Sequence, residues 1–327
     1  MNLKRIQNHS NFSVRLIQKR DLPAVLSLMQ LIQPHLNRSI NLLNWQYLQS
    51  PGGNSKIYSI WDQDKLVTVY GAVALKLRCN DKTHTTKMVQ DVMTHPNYRG
   101  RGFLHHLASV CFTELKNNCE FGHTFPNEQS HNSFFRTGWV AVGNVSARVL
   151  DLDSAIDSRS RRLEMVEVDL SDDSSIREFE KIWLESGFLY GIERDQRFIR
   201  WRYSKPGQSY RFYTVRNEGF LVLKYYKDND SALIRAHICD LVFKSRSMDK
   251  IEDVIHYAKR IALDHGANQL TTWGFEDALY ASRFDECGFI KNRSRKRTLF
   301  VLPMPQMSEG FRESNNWYLS HGDSDVY

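Results

Sequence analysis

The two halves of this 327-residue chain show the same sequence patterns in the same order. A short alternating segment at residues 13–16 precedes an amphipathic segment, Leu22–Ile32, and the same two signals return at 165–168 and 176–184. Alternation followed by apolar residues at helical spacing predicts a strand and then a helix. The same strand–helix start is therefore predicted near residue 13 and near residue 165.

The motifs that follow these segments also recur in the second half, in the same order. A Trp-x-Tyr motif begins at Trp45 and again at Trp201, each shortly before a proline. Asp91 follows the first tryptophan by 46 residues, and Asp240 follows the second by 39. A glycine–aromatic pair closes each series, at 138–139 and 288–289. These repeats favour a duplicated α/β unit over coincidental spacing in two domains of similar size.

The duplication predicts two domains, at residues 1–152 and 163–327, with a polar, unpatterned seam at 153–162. Each half has strands before and after a central helix, which predicts a mixed, mostly antiparallel sheet flanked by helices. A chain of this length is long enough for two ordinary cores.

Composition narrows the class of protein. The chain is 41% hydrophobic and 25% charged, which is typical of a globular protein, and it has no apolar run of membrane-spanning length. Its start lacks the apolar block of a secretory signal, so we expect a cytoplasmic protein. Five cysteines without a Cys-x-x-Cys pair predict neither a disulfide framework nor a metal site. The formal charge of +7 favours anionic partners, either small phosphate-bearing molecules or nucleic acid.

The most specific motif is Arg99-Gly100-Arg101-Gly102, which lies between a predicted strand at 88–93 and a predicted helix. A loop that opens a helix presents unpaired N–H groups, and the helix dipole favours an anion there. Glycine lets the backbone approach the ligand closely. The loop is neither a P-loop, since Gly-Lys-Ser/Thr is missing, nor a dinucleotide fingerprint, since the glycine spacing fails. Arg-Gly-Arg-Gly also occurs in surface turns.

The pattern Arg-x-x-Gly-x-Leu resembles the acyl-CoA pyrophosphate loop of the GNAT N-acetyltransferase superfamily. The resemblance implies that residues of this loop bind the CoA phosphates: Arg99, Gly100, Arg101, Gly102, Phe103 and Leu104. The second half has no glycine pair at the corresponding place, so the first half is expected to bind the cofactor.

A second signature follows the central helix. Asn127, Ser130, Phe134 and the pair at 138–139 resemble the Asn, small residue, aromatic and Gly-Phe of GNAT proteins. The resemblance implies that Asn127 and Ser130 contact the pantetheine arm, while the sequence alone also fits a capped surface helix. Many relatives carry a tyrosine near Phe134 that reprotonates the thiolate, a role that phenylalanine cannot fill.

Three features resemble bacterial tandem-GNAT sugar N-acyltransferases: Phe-Pro-Asn-x-x-Ser at 125–130, the two Trp-x-Tyr motifs, and the C-terminal segment 316–327. The resemblance implies transfer of an acetyl or 3-hydroxybutanoyl group from CoA to a nucleotide-linked amino sugar, of the dTDP-3-amino-3,6-dideoxyhexose type, for surface-glycan biosynthesis. It implies two small-molecule substrates, no metal, no nucleic acid and no membrane partner, and it leaves the oligomeric state open.

The chemistry requires donors to the thioester oxyanion and a route for the amine proton. In this fold the strand before the loop is splayed, so the backbone N–H groups of Val92 and Met93 are expected to hold the pantetheine and polarise the carbonyl. Asp91 is predicted as the base, on the same strand face as Met93. The catalytic candidates also include Asp240, its counterpart in the second half, and His123. Structural roles for all three remain open at this stage.

Acceptor residues are predicted between the halves. Aromatic rings at Tyr47 and Trp201 could stack on a base or sugar, although a core role is the alternative. Arg202 could pair a diphosphate. The tail residues expected to fold back onto this cleft are His321, Asp323 and Asp325.

Three other functions stay open. An aminoacyl transferase would not need the intact Arg-Gly-Arg-Gly loop, which argues against it. An acetyltransferase for protein lysine or another small amine fits the same motifs. A nucleic-acid-binding protein with a relict GNAT fold is permitted by the charge, although its aromatics form no stacking platform.

Overall fold

The computed structural model describes residues 12–118, 120–152, 165–227, 232–244, 248–305 and 307–324. The helices and strands of the first half are β1 Phe12–Leu16, α1 Leu22–Ile32, α2 Ile40–Leu43, β2 Lys56–Asp62, β3 Lys65–Cys79, β4 Lys82–Thr94, α3 Phe103–Asn117, β5 Phe121–Thr124, α4 Glu128–Phe135 and β6 Val140–Asp151. Those of the second half are β7 Val166–Val168, α5 Asp173–Leu184, β8 Tyr190–Ile192, α6 Gln196–Arg202, β9 Tyr210–Val215, β10 Gly219–Lys227, β11 Ile234–Phe243, α7 Met248–Asp264, β12 Gln269–Phe275, α8 Leu279–Glu286 and β13 Ile290–Leu302.

The strands form one mixed sheet in the order β1-β2-β3-β4-β5-β13-β6-β12-β11-β10-β9-β7, with β8 paired to β3. Only two neighbouring pairs in the described sheet are parallel, β4 with β5 and β11 with β12. They occupy equivalent places in the two halves. The predicted fold class, α/β with a mixed, mostly antiparallel sheet, is confirmed.

The two halves exchange their last strands. The end of β13 pairs with β5, through Phe300 opposite Thr124, while β6 pairs with β12, through Phe275 opposite Val145. Each half thus completes the sheet of the other, so the halves share one continuous hydrogen-bonded ladder. The division into domains at the seam stays a prediction, because residues 153–164 lie outside the described residues.

The helices follow the apolar patterns of the sequence. Apolar residues at Phe103, Leu107, Cys111 and Leu115 place one face of α3 in a core beneath the sheet. Asp172 caps α5 by accepting hydrogen bonds from the N–H groups of the first turn. Asp21 directly precedes α1 but makes no capping bond, because its carboxylate pairs with Arg15 instead.

Candidate active site

The site begins at a bulge in β4. Gln90 pairs with Gly71 and Met93 pairs with Val69, so Asp91 and the next residue together face a single residue of β3. Asp91 has a φ of +50°, which is rare for a residue with a Cβ. Such strained positions persist where the surrounding structure over-determines them, often at functional sites. The bulge turns the Asp91 carboxylate towards the segment between α1 and α2 and towards the helical turn that follows α2.

Three side chains hold the Asp91 carboxylate. Gln46 Nε2 donates to Oδ2 at 2.6 Å, and the Tyr47 hydroxyl donates to the same oxygen at 2.8 Å. Arg38 Nη2 lies 3.2 Å from Oδ1. Burial, and then the charge of Asp91, raise the pKa of Tyr47 well above its usual value, so this hydroxyl stays protonated as a donor. These contacts fix the direction of the carboxylate.

Gly71 makes this arrangement possible. A Cβ at Gly71 would lie 2.1 Å from the Tyr47 hydroxyl oxygen and 2.8 Å from the Gln90 carbonyl oxygen. Any side chain here would therefore push the tyrosine away from Asp91.

The strands separate beside the bulge. Parallel pairing of β4 with β5 ends at Met88 opposite His123. Beyond it, Val92 is 38% exposed, whereas Met93 is buried. The backbone of β4 at Val92 and Met93 therefore borders an open cavity, and the donor roles of these two residues stay predictions.

The predicted pyrophosphate loop lies at the end of this split. Gly100 and Gly102 have φ values of +77° and +76°, and nothing lies within 4 Å of a Cβ built on either. Gly102 is the N-cap of the 15-residue helix α3. The Arg101 guanidinium lies over the Tyr98 ring, 5.1 Å from its centroid. The loop thus keeps its backbone accessible and its charge exposed at a helix N-terminus.

A cavity of about 330 Å³ connects the loop to the bulge. This volume is in the range of small-molecule sites. Residues from both ends of the motif line it: Ile32, Val92, Met93, Thr94, Tyr98, Arg99, Gly100, Arg101, Gly102, Phe103, Leu104 and His105. All predicted phosphate-loop residues therefore share one cavity with the two predicted backbone donors, and the geometry fits an acyl-CoA.

The second signature forms the N-terminus of α4. Asn127 Oδ1 accepts hydrogen bonds from the backbone N–H and the hydroxyl of Ser130, at 3.1 and 2.8 Å. The two residues thus cap the helix together, and their predicted contact with pantetheine stays a prediction. Phe134 packs edge-on against Trp139, so its position is taken by core packing.

Asp240 is wrong as a catalytic candidate. Its carboxylate is fully buried and accepts hydrogen bonds from Arg194, Tyr203, Tyr318 and Ser320. Burial is the largest single influence and opposes its charge, but Arg194 and the Ser320 and Tyr203 hydroxyls together lower the pKa of Asp240. An inaccessible carboxylate with four donors cannot collect a proton from a substrate amine.

His123 is also wrong as a catalytic candidate. Its ring is buried on β5, with Nδ1 2.9 Å from the Thr86 hydroxyl. Desolvation lowers its pKa to about 3, so the ring is neutral at physiological pH.

The two Trp-x-Tyr motifs meet at the centre of the molecule. The rings of Trp45 and Trp201 stack at 4.5 Å with an interplanar angle of 7°. Each indole N–H donates to the other tryptophan's carbonyl oxygen, at 2.6 and 2.8 Å. This reciprocal contact is what a duplicated unit with approximate two-fold symmetry would make. The stacking of Tyr47 and Trp201 on a substrate was therefore wrongly predicted, because both rings are already packed in the core.

The tail folds back between the halves, as expected, but it is buried there. Arg202 donates through Nε to the Gly322 carbonyl oxygen at 2.6 Å and is not free to pair a diphosphate. Asp323 makes two hydrogen bonds with the buried Arg194, at 2.7 and 2.8 Å, and His321 is fully buried. These three roles in acceptor binding were wrongly predicted. Asp325 lies outside the described residues.

Sequence reasoning missed the partners of the two aspartates. Arg38 and Arg194 carry no motif and are far in sequence from the carboxylates that they pair. Within the described residues, no group of three metal-binding side chains occurs, and no helix there is long and apolar enough to cross a bilayer.

Comparisons with known proteins agree with this geometry. Residues 13–136 match the family model described as an acetyltransferase (GNAT) domain. A search of curated protein sequences gives no match.

Several solved structures share the fold. A probable N-acyltransferase from Enterococcus faecalis superposes with a TM-score of 0.66 at 10% identity, over 89% of this chain and 72% of that chain. A GCN5-related N-acetyltransferase from Anabaena variabilis gives 0.64 at 13%, with the same coverage. Saccharomyces cerevisiae N-myristoyltransferase, solved with bound myristoyl-CoA, gives 0.61 at 11%, over 94% of this chain and 85% of that chain.

At these identities the solved structures show the fold alone, and the family model matches only residues 13–136. Residues 13–136 are therefore similar to a GNAT acetyltransferase domain, and this match together with the shared fold supports an acyl-CoA-dependent N-acyltransferase.

Proposed function

We propose that this chain transfers an acetyl or 3-hydroxybutanoyl group from CoA to the amine of a nucleotide-linked amino-dideoxy sugar for surface-glycan biosynthesis. The position of Asp91 between two cavities supports a reaction centre at this residue. The residue before Asp91, Gln90, lines a cavity between the two halves, while the next two residues line the cofactor cavity. Asp91 thus lies where a donor from one side can meet an acceptor from the other.

The cofactor side uses backbone groups and fixed charge. The N–H groups around Gly102 and the guanidinium groups of Arg99 and Arg101 bind the phosphates. The backbone N–H groups of Val92 and Met93 donate to the pantetheine and to the thioester oxygen, which becomes an oxyanion during attack. Asn127 and Ser130 contact the pantetheine arm from α4.

Asp91 serves the acceptor. Its carboxylate, held by Tyr47, Gln46 and Arg38, orients the attacking amine and takes the proton that the nitrogen loses as the C–N bond forms. The C–S bond then breaks, and CoA leaves as the thiolate. Phe134 supplies no proton to it. Holding both substrates at Asp91 supplies much of the remaining acceleration.

The sugar nucleotide has a basic cleft at the junction of the halves. The cleft measures about 570 Å³ and combines a first-half turn containing Gly52 with the second-half helix α6. Lys76, Arg197 and Arg200 contribute three cations, of which Arg200 pairs with the exposed Asp173. Such a cleft suits a diphosphate, and this role replaces the one predicted for Arg202. Trp201 lines both this cleft and the narrower cavity that contains Gln90.

The test is an acyl-transfer assay with acetyl-CoA and 3-hydroxybutanoyl-CoA as donors. The acceptors are a dTDP-3-amino-3,6-dideoxyhexose, the same sugar without the nucleotide, and a lysine-containing peptide. We expect the dTDP-linked sugar to give the highest kcat/KM, and Arg197→Ala to raise KM for it but not for the free sugar. Equal use of the peptide would contradict the sugar assignment. DNA retention without acylation of any amine would favour the nucleic-acid alternative.

Asp91→Asn separates the reaction centre from binding. The amide keeps the shape of the carboxylate but cannot take a proton, so kcat should fall by roughly 100-fold or more. Binding of the acyl-CoA should be unchanged, as measured by its thermal shift. An unchanged kcat would remove Asp91 from the mechanism.

A further inference from the structure

The side-chain oxygen of Gln90 is buried without a hydrogen-bond partner in the protein. Gln90 is 7% exposed, and its Oε1 is buried without a hydrogen-bond partner. A buried amide oxygen without a hydrogen-bond partner in the protein costs free energy until a bound water or a ligand group donates to it. Such a group points to a partner from outside the chain, which is a bound water in the free protein and a donor group of the ligand when that water is displaced.

The cavity beside Gln90 is narrow and built by both halves. Apolar side chains form much of its wall, and its volume is about 20 Å³, which suits a single small group. The lining residues are Trp45, Gln46, Val73, Leu75, Met88, Gln90, Phe198, Trp201, Arg202, Gly322, Asp323 and Ser324.

The other polar groups of this cavity are already engaged. Gln46 Nε2 donates to Asp91, the Arg202 guanidinium donates to tail carbonyls, and Asp323 accepts from Arg194. Among the described lining residues, Gln90 alone has a buried side-chain polar atom left without a partner. A ligand group that enters here must therefore supply what Gln90 lacks.

We propose that Gln90 is a specificity residue that accepts a hydrogen bond from a hydroxyl next to the reacting amine of the acceptor. The inference rests on the proposed function and names the acceptor class as a vicinal amino alcohol. Gln46 donates to Asp91 and lines the same cavity as Gln90, so a substrate whose amine lies at Asp91 brings the neighbouring carbon's substituent towards Gln90. The narrow cavity admits a hydroxyl and excludes a bulkier group. A site that hydrogen-bonds a substrate hydroxyl rejects the analogue without it, because its own polar group is then left unpaired.

The experiment compares two acceptors in wild type and in Gln90→Met. One acceptor is a dTDP-3-amino-3,6-dideoxyhexose, and the other is its analogue lacking one hydroxyl adjacent to the amine, with both adjacent positions tested. We expect wild type to lose on the order of 10-fold in kcat/KM with one deoxy analogue. Gln90→Met should use the two acceptors equally, with the KM for acyl-CoA unchanged and a melting temperature no lower than that of wild type.

The melting temperature separates recognition from structure, because methionine removes the unpaired oxygen while keeping the side-chain length. Gln208→Met, at an exposed position, is the matched control and should retain wild-type discrimination. If wild type uses both deoxy analogues as well as the parent sugar, or if Gln90→Met still discriminates, the inference is overturned while the proposed function stands. If wild type acylates neither sugar, the proposed function fails, and the inference falls with it.

Discussion

Asp91 and Asp240 occupy equivalent positions in the two halves of the molecule. Each aspartate lies beside a register shift, on the strand of its half that pairs in parallel with a neighbouring strand. Each also accepts a hydrogen bond from the tyrosine of a Trp-x-Tyr motif, which is Tyr47 for Asp91 and Tyr203 for Asp240. The difference lies in what fills the space where the two parallel strands separate. In the first half that space is an open cavity, and in the second half the chain's own tail occupies it.

The tail takes the place that a ligand would have in the second half. Parallel pairing of β11 with β12 ends at His237 opposite Thr271. Beyond that point, the Tyr318 hydroxyl accepts a hydrogen bond from the Leu241 N–H at 3.0 Å. Leu241 follows Asp240 as Val92 follows Asp91, so Tyr318 occupies the place proposed for the acyl-CoA in the first half. The same arrangement of strands therefore leaves a cavity where the two parallel strands separate in the first half, and it encloses part of the hydrophobic core where the tail fills that space in the second half.

Removing the tail should have the largest effect. Ending the chain after Asn316 removes Tyr318, Ser320 and Asp323, and leaves the buried Arg194 facing Asp240 without its other anionic partner. We expect a loss of more than about 5 kcal/mol and no cooperative unfolding of the second half. Circular dichroism during urea denaturation measures this. A stable truncated chain with unchanged unfolding would show that the tail does not complete the core.

The two aspartates should respond in opposite ways. Asp240→Asn breaks a buried ion pair and should lower the free energy of unfolding by about 3–5 kcal/mol. Asp91→Asn should lower it by less, about 1–2 kcal/mol, while reducing kcat. The side chains of Asp91 and its partner Arg38 are 7% and 17% exposed, whereas those of Asp240 and Arg194 are fully buried. Urea denaturation and steady-state kinetics on both variants check this contrast. Equal destabilisation by both would remove the distinction between site and core.

Acid should destabilise both halves through buried histidines. His123 in the first half has its pKa lowered to about 3, and His321 in the second is also lowered, both chiefly by desolvation. Because the folded state binds a proton less readily than the unfolded state, this stability is complete above pH 6.5 and is lost as the pH falls towards 3. His123 alone should account for about 2 kcal/mol between pH 8 and pH 5.

His123→Asn tests that contribution, because the amide can keep a hydrogen bond to Thr86 without titrating. The variant should show a shallower decline of unfolding free energy from pH 8 to pH 5 than wild type. Parallel decline in both proteins would contradict a neutral, buried His123.

The tyrosines should give the smallest effects. Tyr203→Phe removes a buried hydrogen bond and should lower unfolding free energy by about 1 kcal/mol without changing kcat. Tyr47→Phe should cost a similar amount of stability and also reduce kcat by roughly 10-fold, because Asp91 loses a positioning donor. If Tyr203→Phe reduced kcat as much as Tyr47→Phe, the second half would have a direct part in the chemistry.

Much of the fold, and the loop geometry beside the open cavity of the first half, was predictable from local sequence. Glycine pairs, helix caps such as Asn127 and Asp172, and apolar periodicity act over a few residues, and they predicted the loop and its helices. Repeated Trp-x-Tyr motifs predicted the duplication. The strand exchange was not predictable, because β5 and β13 are separated by more than 150 residues and either half's last strand fits either partner. The burial of Asp240 was not predictable either, because it depends on Arg194 and on the tail, which are both far from Asp240 in the sequence.

The most direct test of the account is the stoichiometry of acetyl-CoA binding, measured by isothermal titration calorimetry on the full chain. We expect one site per chain, abolished by Gly102→Glu, which places a carboxylate where the phosphates are proposed to bind. Gly266→Glu is the matched control, because Gly266 has a similar φ of +73° and open space around it, but lies in the second half. Two sites per chain, or a single site that survives Gly102→Glu and disappears in Gly266→Glu, would contradict the assignment of the cofactor to the first half.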